Sequence, residues 1–341
     1  MVVTLEHPEA RILIEEISGG KRRISVQPVS PGLYVHVASW ETAYPVELIR
    51  AILDVKGPGW VCDEIMREES PRYVEWTLRH MILGVVDEGF FDGKRLLDFG
   101  CGVGASTVIL ARMFSGAEIV AVELEESLLA VARRRAAHYG LSRVRLVQSP
   151  SGLELPQGIG EFDAVVMSGV YEHLMPDERQ FLMPRVWSVL RPGGVLFLTM
   201  PWRYFPVEGH TSGLPLVNYL PARLAMAFAK RFSPKVPKDD TWQDLLRRGI
   251  RGGTAREVLK VLRRQANGRP ALLEPCRLGL HDRVDLWYAG STAAGSSTPK
   301  RVFRALAKAI RKVFSVEFVP QLALAIRKDV PCGPTEGGAL E

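Results

Sequence analysis

Between Arg95 and Phe114 an apolar strand pattern, Arg95 to Phe99, enters Gly100-Cys101-Gly102-Val103-Gly104 and leaves as a helical pattern from Ser106. This stretch constrains the fold most, because glycines let the backbone turn tightly and approach a ligand without a Cβ in the way. The same order then repeats: Glu118 to Val122 and Glu126 to Tyr139; Val144 to Gln148; Phe162 to Met167 and Gln180 to Leu190; Val195 to Met200. Near-continuous apolar strands separated by helices specify a parallel α/β sheet covered on both faces.

Upstream, residues 1–37 alternate in short stretches (Arg11-Ile-Leu-Ile, Ile24-Ser-Val-Gln-Pro, Leu33-Tyr-Val-His-Val) separated by Gly19-Gly20 and Pro31-Gly32, which predicts strands and hairpin turns. Pro45 opens a helical pattern that stops at Gly57-Pro58-Gly59, and another from Val61 to about Val86 breaks at Pro71. The expected organisation is an N-terminal α+β subdomain over residues 1–60 and a main domain over 61–341.

No apolar run reaches the roughly 18 residues of a membrane span. The N-terminus, with Glu6, Glu9, Glu15 and Glu16, lacks the basic-then-apolar order of a signal peptide, so a cytoplasmic protein is expected. Cys62, Cys101, Cys276 and Cys332 are far apart, which argues against a zinc cluster or a disulfide framework, and no metal is expected. The net charge of +6 is unevenly spread. Residues 1–200 hold 20 Lys/Arg against 26 Asp/Glu, giving −6, and residues 201–341 hold 24 against 12, giving +12. An acidic partner or a solvated surface would each account for the basic half.

The order Asp98-x-Gly100-x-Gly102-x-Gly104 differs from the G-x-G-x-x-G of dinucleotide-binding loops. It resembles the first motif of class I S-adenosylmethionine-dependent methyltransferases. Glu123 at the end of the next strand, Tyr171-Glu172-His173 after the fourth strand, and Leu190-Arg-Pro-Gly-Gly194 before the fifth also resemble segments of that family's small-molecule branch. The resemblance covers roughly residues 90 to 202.

It implies a Rossmann-like, seven-stranded sheet, parallel except for an antiparallel last strand inserted between the fifth and sixth, and S-adenosyl-L-methionine as cofactor. It places Asp98, Gly100, Cys101, Gly102 and Gly104 at the methionine side of the cofactor, Glu123 on the ribose hydroxyls and Leu124 against adenine, with Ser168 also in the cofactor site. Where relatives carry Gly-Asp after the third strand, this chain has Ser149-Pro-Ser151-Gly, so Ser149 or Ser151 is expected to replace the carboxylate near adenine.

Methyl transfer to a hydroxyl needs in-line positioning, water exclusion and a base. His173, at the C-terminal edge of the sheet, and His210, just beyond the fifth strand, are the candidates; a helix-bracing Glu172-His173 and a plain loop histidine are the competing readings. Residues 201–253 exceed a minimal methyltransferase and form the expected acceptor-binding insertion, with a helix from Ala222 to Phe232, packing surfaces at Trp202, Tyr204 and Phe205, and polar contacts at Arg203 and Glu208. The insertion resembles those of methyltransferases acting on surface glycans and lipid-linked sugars. The expected reaction is therefore O-methylation of a small or glycan-type acceptor. An RNA methyltransferase is disfavoured, because Ser168-Gly-Val-Tyr171 stands where base-modifying relatives carry N-P-P-Y or D-P-P-Y; a non-catalytic cofactor-binding scaffold is the rival from another class. Oligomeric state is not legible.

Lys300 to Phe314 is helical in pattern, with Val302, Phe303, Leu306, Ile310, Val313 and Phe314 on one face and six basic residues largely elsewhere. Two readings stay open: a helix that covers the sheet with its charges in water ahead of a last strand at Val316 to Ile326, or an interfacial helix at an anionic membrane.

Overall fold

The computed structural model describes residues 2–30, 32–265, 267–291 and 295–329; Cys332 lies outside them. The chain opens with an antiparallel sheet of β1 (Val2–His7), β2 (Ala10–Glu16), β3 (Arg22–Pro28) and β4 (Ser39–Thr42), in that spatial order. The fourth strand lies later than the alternation at Leu33 to Val37 predicts. Leu33, Val35 and Val37 do pack on the core, but the ladder partners of Arg22–Ser25 are Ser39–Thr42, so the alternation there records burial without pairing. Three helices follow, α1 (Val46–Lys56), α2 (Val61–Glu69) and α3 (Val74–Leu83), with the break between the last two at Pro71.

The main sheet then alternates β5 (Arg95–Phe99), α4 (Ala105–Met113), β6 (Glu118–Glu123), α5 (Glu126–His138), β7 (Val144–Gln148), β8 (Phe162–Ser168), α6 (Pro176–Ser188) and β9 (Leu190–Pro201). An insertion carries two-residue strands β10 (Val207–Glu208) and β11 (Leu214–Pro215) and helices α7 (Ala222–Phe232) and α8 (Trp242–Arg247). The chain closes with α9 (Ala255–Leu262), β12 (Arg269–Leu273), α10 (Arg283–Gly290), α11 (Thr298–Phe314) and β13 (Gln321–Asp329). The seven strands lie in the order β12-β13-β9-β8-β5-β6-β7. β5 to β9 are parallel and β13 is antiparallel to both its neighbours, the topology expected above.

Adjacent residues of one strand feed opposite cores, as the two-residue period of a strand requires. Leu97, Val165 and Leu196 face α6 and α9, whereas Leu96, Val166 and Phe197 face α3 and α4. A third core joins the N-terminal sheet to α1, α2 and Val131 of α5. At its edge the Glu68 carboxylate accepts hydrogen bonds from Tyr44 and Tyr139 and pairs with Arg112, so the charge buried there is fully partnered. This packing brings α1 and α2 over the C-terminal edge of the main sheet.

The insertion has a small core of its own, including Val217, Ala225, Ala229 and Leu245. Its two ends are tied by backbone bonds: Gly253 N–H donates to Pro201 O at 3.0 Å and Arg203 N–H to Gly253 O at 3.0 Å. It is therefore held at a defined place above the end of β9. No helix among the described residues is long and apolar enough to cross a membrane.

α11 corrects the expected polarity. Arg304 and Lys308 turn inward to Asp285, and Arg311 turns to Glu274, while Val302, Leu306, Val313 and Phe314 face outward. The acidic residues that capture those bases lie on α10 and in the loop before it, and a helical wheel contains neither. The last strand also begins later than Val316, at Gln321.

Candidate active site

The loop from β5 to α4 needs its glycines. Gly100, Gly102 and Gly104 have φ of 72°, 55° and 86°, a region that disfavours other residues. At Gly100 a Cβ would also come within 2.6 Å of a Val170 methyl, so the loop after β8 can close against it. Asp98, 2% exposed, lies beneath the turn and accepts hydrogen bonds from Ser106 Oγ at 2.8 Å and Thr107 Oγ1 at 2.6 Å. Burial pushes its carboxyl up to about 6, against the opposing pull of the two hydroxyls. Asp98 thus ties the strand end to the first turn of α4 from below. Cys101 is buried against Ala121 and Leu129, and burial raises its thiol far above the reactive range.

Glu123 ends β6. Its carboxylate accepts from the backbone N–H of Gly102 at 2.7 Å and of Leu124 at 2.7 Å, which links the second strand end to the glycine loop. Glu123 lines a cavity of about 420 Å³ together with Gly100, Leu124, Ser149, Ser151 and His173. That volume falls within the range of small-ligand and cofactor sites, roughly 300–1,000 Å³. A carboxylate, an exposed leucine beside it and the Cβ-free Gly100 fit a nucleoside joined to a short polar tail, while Gly102 and Gly104, expected to contact it, do not line the cavity. The Ser149 hydroxyl donates to Glu154 O at 2.9 Å and retains acceptor capacity. Ser168, by contrast, meets Thr199 across the β8–β9 ladder at 3.1 Å and does not line the cavity; nor do the side chains of Asp98 and Cys101.

His173 ends a short turn, Tyr171–His173, directly after β8. Its Nδ1 lies 2.6 Å from the carbonyl oxygen of Arg247. A carbonyl only accepts, so Nδ1 carries the proton and Nε2 presents its lone pair. The His210 ring lies 5.3 Å from that of His173, centroid to centroid. His210 lines a second cavity of about 270 Å³ with Trp202, Phe205 and Asn218 of the insertion. The two histidines therefore stand where the cofactor-sized cavity meets the insertion's pocket. Both rings are held below the ordinary imidazole value, chiefly by burial; for His173, Lys56 and Arg179 add to it, and for His210, His173, Arg67 and Lys235 do so. His210 is exposed overall, but its Cδ2–Nε2 edge faces Gly249. These surroundings favour the neutral ring in both, the form that can accept a proton.

Glu172 is 2% exposed and its Oε2 has no hydrogen-bond partner. Burial pushes its carboxyl up to about 7, opposed by its own backbone N–H and by Arg179. One donor atom from each of Glu172, His173 and His210 falls within 4.8 Å of the others, close enough to share an ion. The charges that act on the two rings are positive, namely Lys56, Arg179, Arg67 and Lys235, and they oppose a further cation. The arrangement suits proton transfer and a developing negative charge better than metal capture.

Two residues of the site escaped sequence reading, and Glu208, which lines the insertion's pocket, has a further role. Gly249, with φ of 89°, leaves room for the cluster: a Cβ there would come within 2.8 Å of His210 and 2.9 Å of Glu172. Its only sequence signal is that of a helix-ending glycine after α8. Asn218, 6% exposed, lines the insertion's pocket, gives its amide N–H to Phe205 O at 3.2 Å and has its buried Oδ1 unpartnered. Glu208, expected as an acceptor contact, already receives the backbone N–H groups of His210, Thr211 and Ser212 and the Ser212 hydroxyl, and so shapes the His210 loop.

Residues 96–194 match the methyltransferase-domain family. The chain is 38% identical over 107 residues to the ubiquinone biosynthesis O-methyltransferase of Xanthomonas axonopodis pv. citri (strain 306), covering 31% of this chain and 43% of that one. It is 34% identical over 110 residues to the trans-aconitate 2-methyltransferase of Variovorax paradoxus (strain S110), covering 32% and 39% respectively. It thus spans less than half the length of these curated relatives. An O-methyltransferase family protein from Burkholderia thailandensis aligns over 82% of this chain and 62% of its own, with 10% identity and a TM-score of 0.45. The glycine loop and the Glu123 strand end both fall in the matched segment, so residues 96–194, at the centre of the β12-β13-β9-β8-β5-β6-β7 sheet, are similar to a methyltransferase domain.

Proposed function

We propose that the protein transfers a methyl group from S-adenosylmethionine to a hydroxyl of a small or glycan-type acceptor held in the insertion's pocket. The observation that carries this reading is the histidine pair, which joins the cofactor-sized cavity to a second pocket built by the insertion. The cofactor supplies a methyl group already activated on a sulfonium. Glu123 would hold its ribose, Leu124 its adenine face with Ser149 or Ser151 at the edge, and the Gly100–Gly104 loop its amino-acid tail.

The chain's own contribution is placement and proton handling. Trp202 and Phe205 supply flat walls to the acceptor pocket, which Asn218 and Glu208 also line. His173, oriented through the Arg247 carbonyl, accepts the acceptor's proton at Nε2, with His210 as its neighbour on the insertion side. The positive charges of Lys56, Arg67, Arg179 and Lys235 favour the oxygen as negative charge grows on it. A positioned base contributes roughly 10²–10⁴-fold.

The test is release of S-adenosylhomocysteine from the full chain with a panel of hydroxylated glycans, lipid-linked sugars, phenols and RNA. Turnover with a hydroxylated acceptor that falls in His173→Ala and His210→Ala supports the reading. Cofactor binding with no turnover on any acceptor would point to a scaffold instead.

A further inference from the structure

We propose that the outward face of α11 seats the protein on an anionic lipid bilayer, and that the acceptor is correspondingly of the lipid-linked class. Docking stands on the surface alone; the acceptor class rests on the methyltransferase reading.

Four apolar side chains of this helix face outward: Val302, Leu306, Val313 and Phe314 are 63%, 53%, 71% and 69% exposed. The first three recur at spacings of four and seven, which puts them in one stripe along a helix about 25 Å long. The stripe has a structural cause. Arg304 gives two hydrogen bonds to Asp285 Oδ1, at 2.9 and 2.7 Å, and Lys308 donates to Asp285 Oδ2 at 2.7 Å. Arg311 pairs with Glu274 at 3.0 Å. These ion pairs, with Phe303 packed between Trp287 and Phe318, hold the basic side of the helix to the protein and rotate the apolar stripe out.

Charge selects the occupant. The helix contains no acidic residue, and Arg301 and Lys312, exposed beside the stripe, make no ion pair among the described residues. A second copy of the chain would set these cations against their own equivalents and against a half of the molecule that carries +12, whereas an anionic bilayer offers an apolar interior under negative headgroups. The helix also adjoins the acceptor pocket: Phe303 meets Phe205, a wall of that pocket, at 6.0 Å.

The experiment is co-sedimentation of the full chain with vesicles of phosphatidylcholine alone and of phosphatidylcholine mixed with phosphatidylglycerol. Binding should be about tenfold stronger to the mixed vesicles, weaken with salt, and fall about tenfold or more in Leu306→Asp/Val313→Asp, while Arg134→Glu, which removes an exposed cation on α5, leaves it nearly unchanged. Calorimetric binding of S-adenosylmethionine by the double variant shows that its fold and cofactor site persist, which separates failure of docking from failure of the methyltransferase reading. No binding to either vesicle, binding indifferent to the double substitution, or a dimer by light scattering that the double substitution dissolves would overturn the proposal.

Discussion

His173 and His210 lie 5.3 Å apart, ring centre to ring centre, one at the end of a sheet strand and the other in an insertion 37 residues further along the chain. Each lines a different cavity, so the pair stands between the two. Replacing either by alanine is expected to lower turnover by about 10²–10⁴-fold for the true base and less for its neighbour, with cofactor affinity changed by under about threefold. Single-turnover rates and calorimetry on the two variants check this. A matching loss of affinity in both would reassign the pair to cofactor binding.

Glu172 links pH to stability at the same place. Its carboxyl goes from an ordinary value of 4.5 to about 7 on folding, so the folded state binds the extra proton. The favourable contribution is complete below 4.5 and is lost as pH rises through 7, a loss of roughly 3 kcal/mol. Glu172→Gln cannot ionise and should be more stable than the parent chain at pH 8, with the difference vanishing near pH 4.5. Denaturant melts at the two pH values give the answer, and an equal gain at both would mean that the amide acts through packing.

Gly249 sets the spacing of the cluster. In Gly249→Ala the added methyl meets both His210 and Glu172 at under 3 Å, in a backbone conformation with φ of 89° that alanine disfavours. The expected cost is about 1–3 kcal/mol in stability. Turnover should fall far more than cofactor affinity, since the cavity at Glu123 is built by other residues. Unaltered turnover would show that the distance between the rings is unimportant.

Asp98 acts on the cofactor loop from beneath. Asp98→Ala removes the acceptor for two hydroxyls, the half-buried Ser106 and the buried Thr107, and should cost about 1–3 kcal/mol along with cofactor affinity. Asp98→Asn keeps one acceptor oxygen and should retain more of both. If the asparagine variant bound no better than the alanine one, the negative charge itself would be the needed feature.

The five parallel strands from Arg95 to Pro201 were legible because glycine turns and strand period are local, whereas the strand order and the antiparallel last strand followed only from the resemblance carried by the motifs. The insertion's helix at Ala222–Phe232 followed from periodicity in the same way. Other features depend on distant partners. Periodicity finds the apolar stripe of α11 but not its direction, which Asp285 decides through Arg304 and Lys308. Leu33, Val35 and Val37 alternate because every second residue is buried, although their backbone joins no ladder. Within the site, Glu123 stands at a strand end that the pattern marks, whereas the roles of Gly249 and Asn218 arise only when the insertion folds back over β8.

The central claim is that the glycine loop and Glu123 form the cofactor site. Its most direct measurement is calorimetric titration of S-adenosylmethionine into the parent chain and Glu123→Ala. The parent should bind one equivalent, and the variant should bind at least about tenfold more weakly, through loss of the carboxylate that holds the Gly102 N–H and lines the cavity. Equal affinity in the two proteins, or no binding by the parent chain, would contradict it.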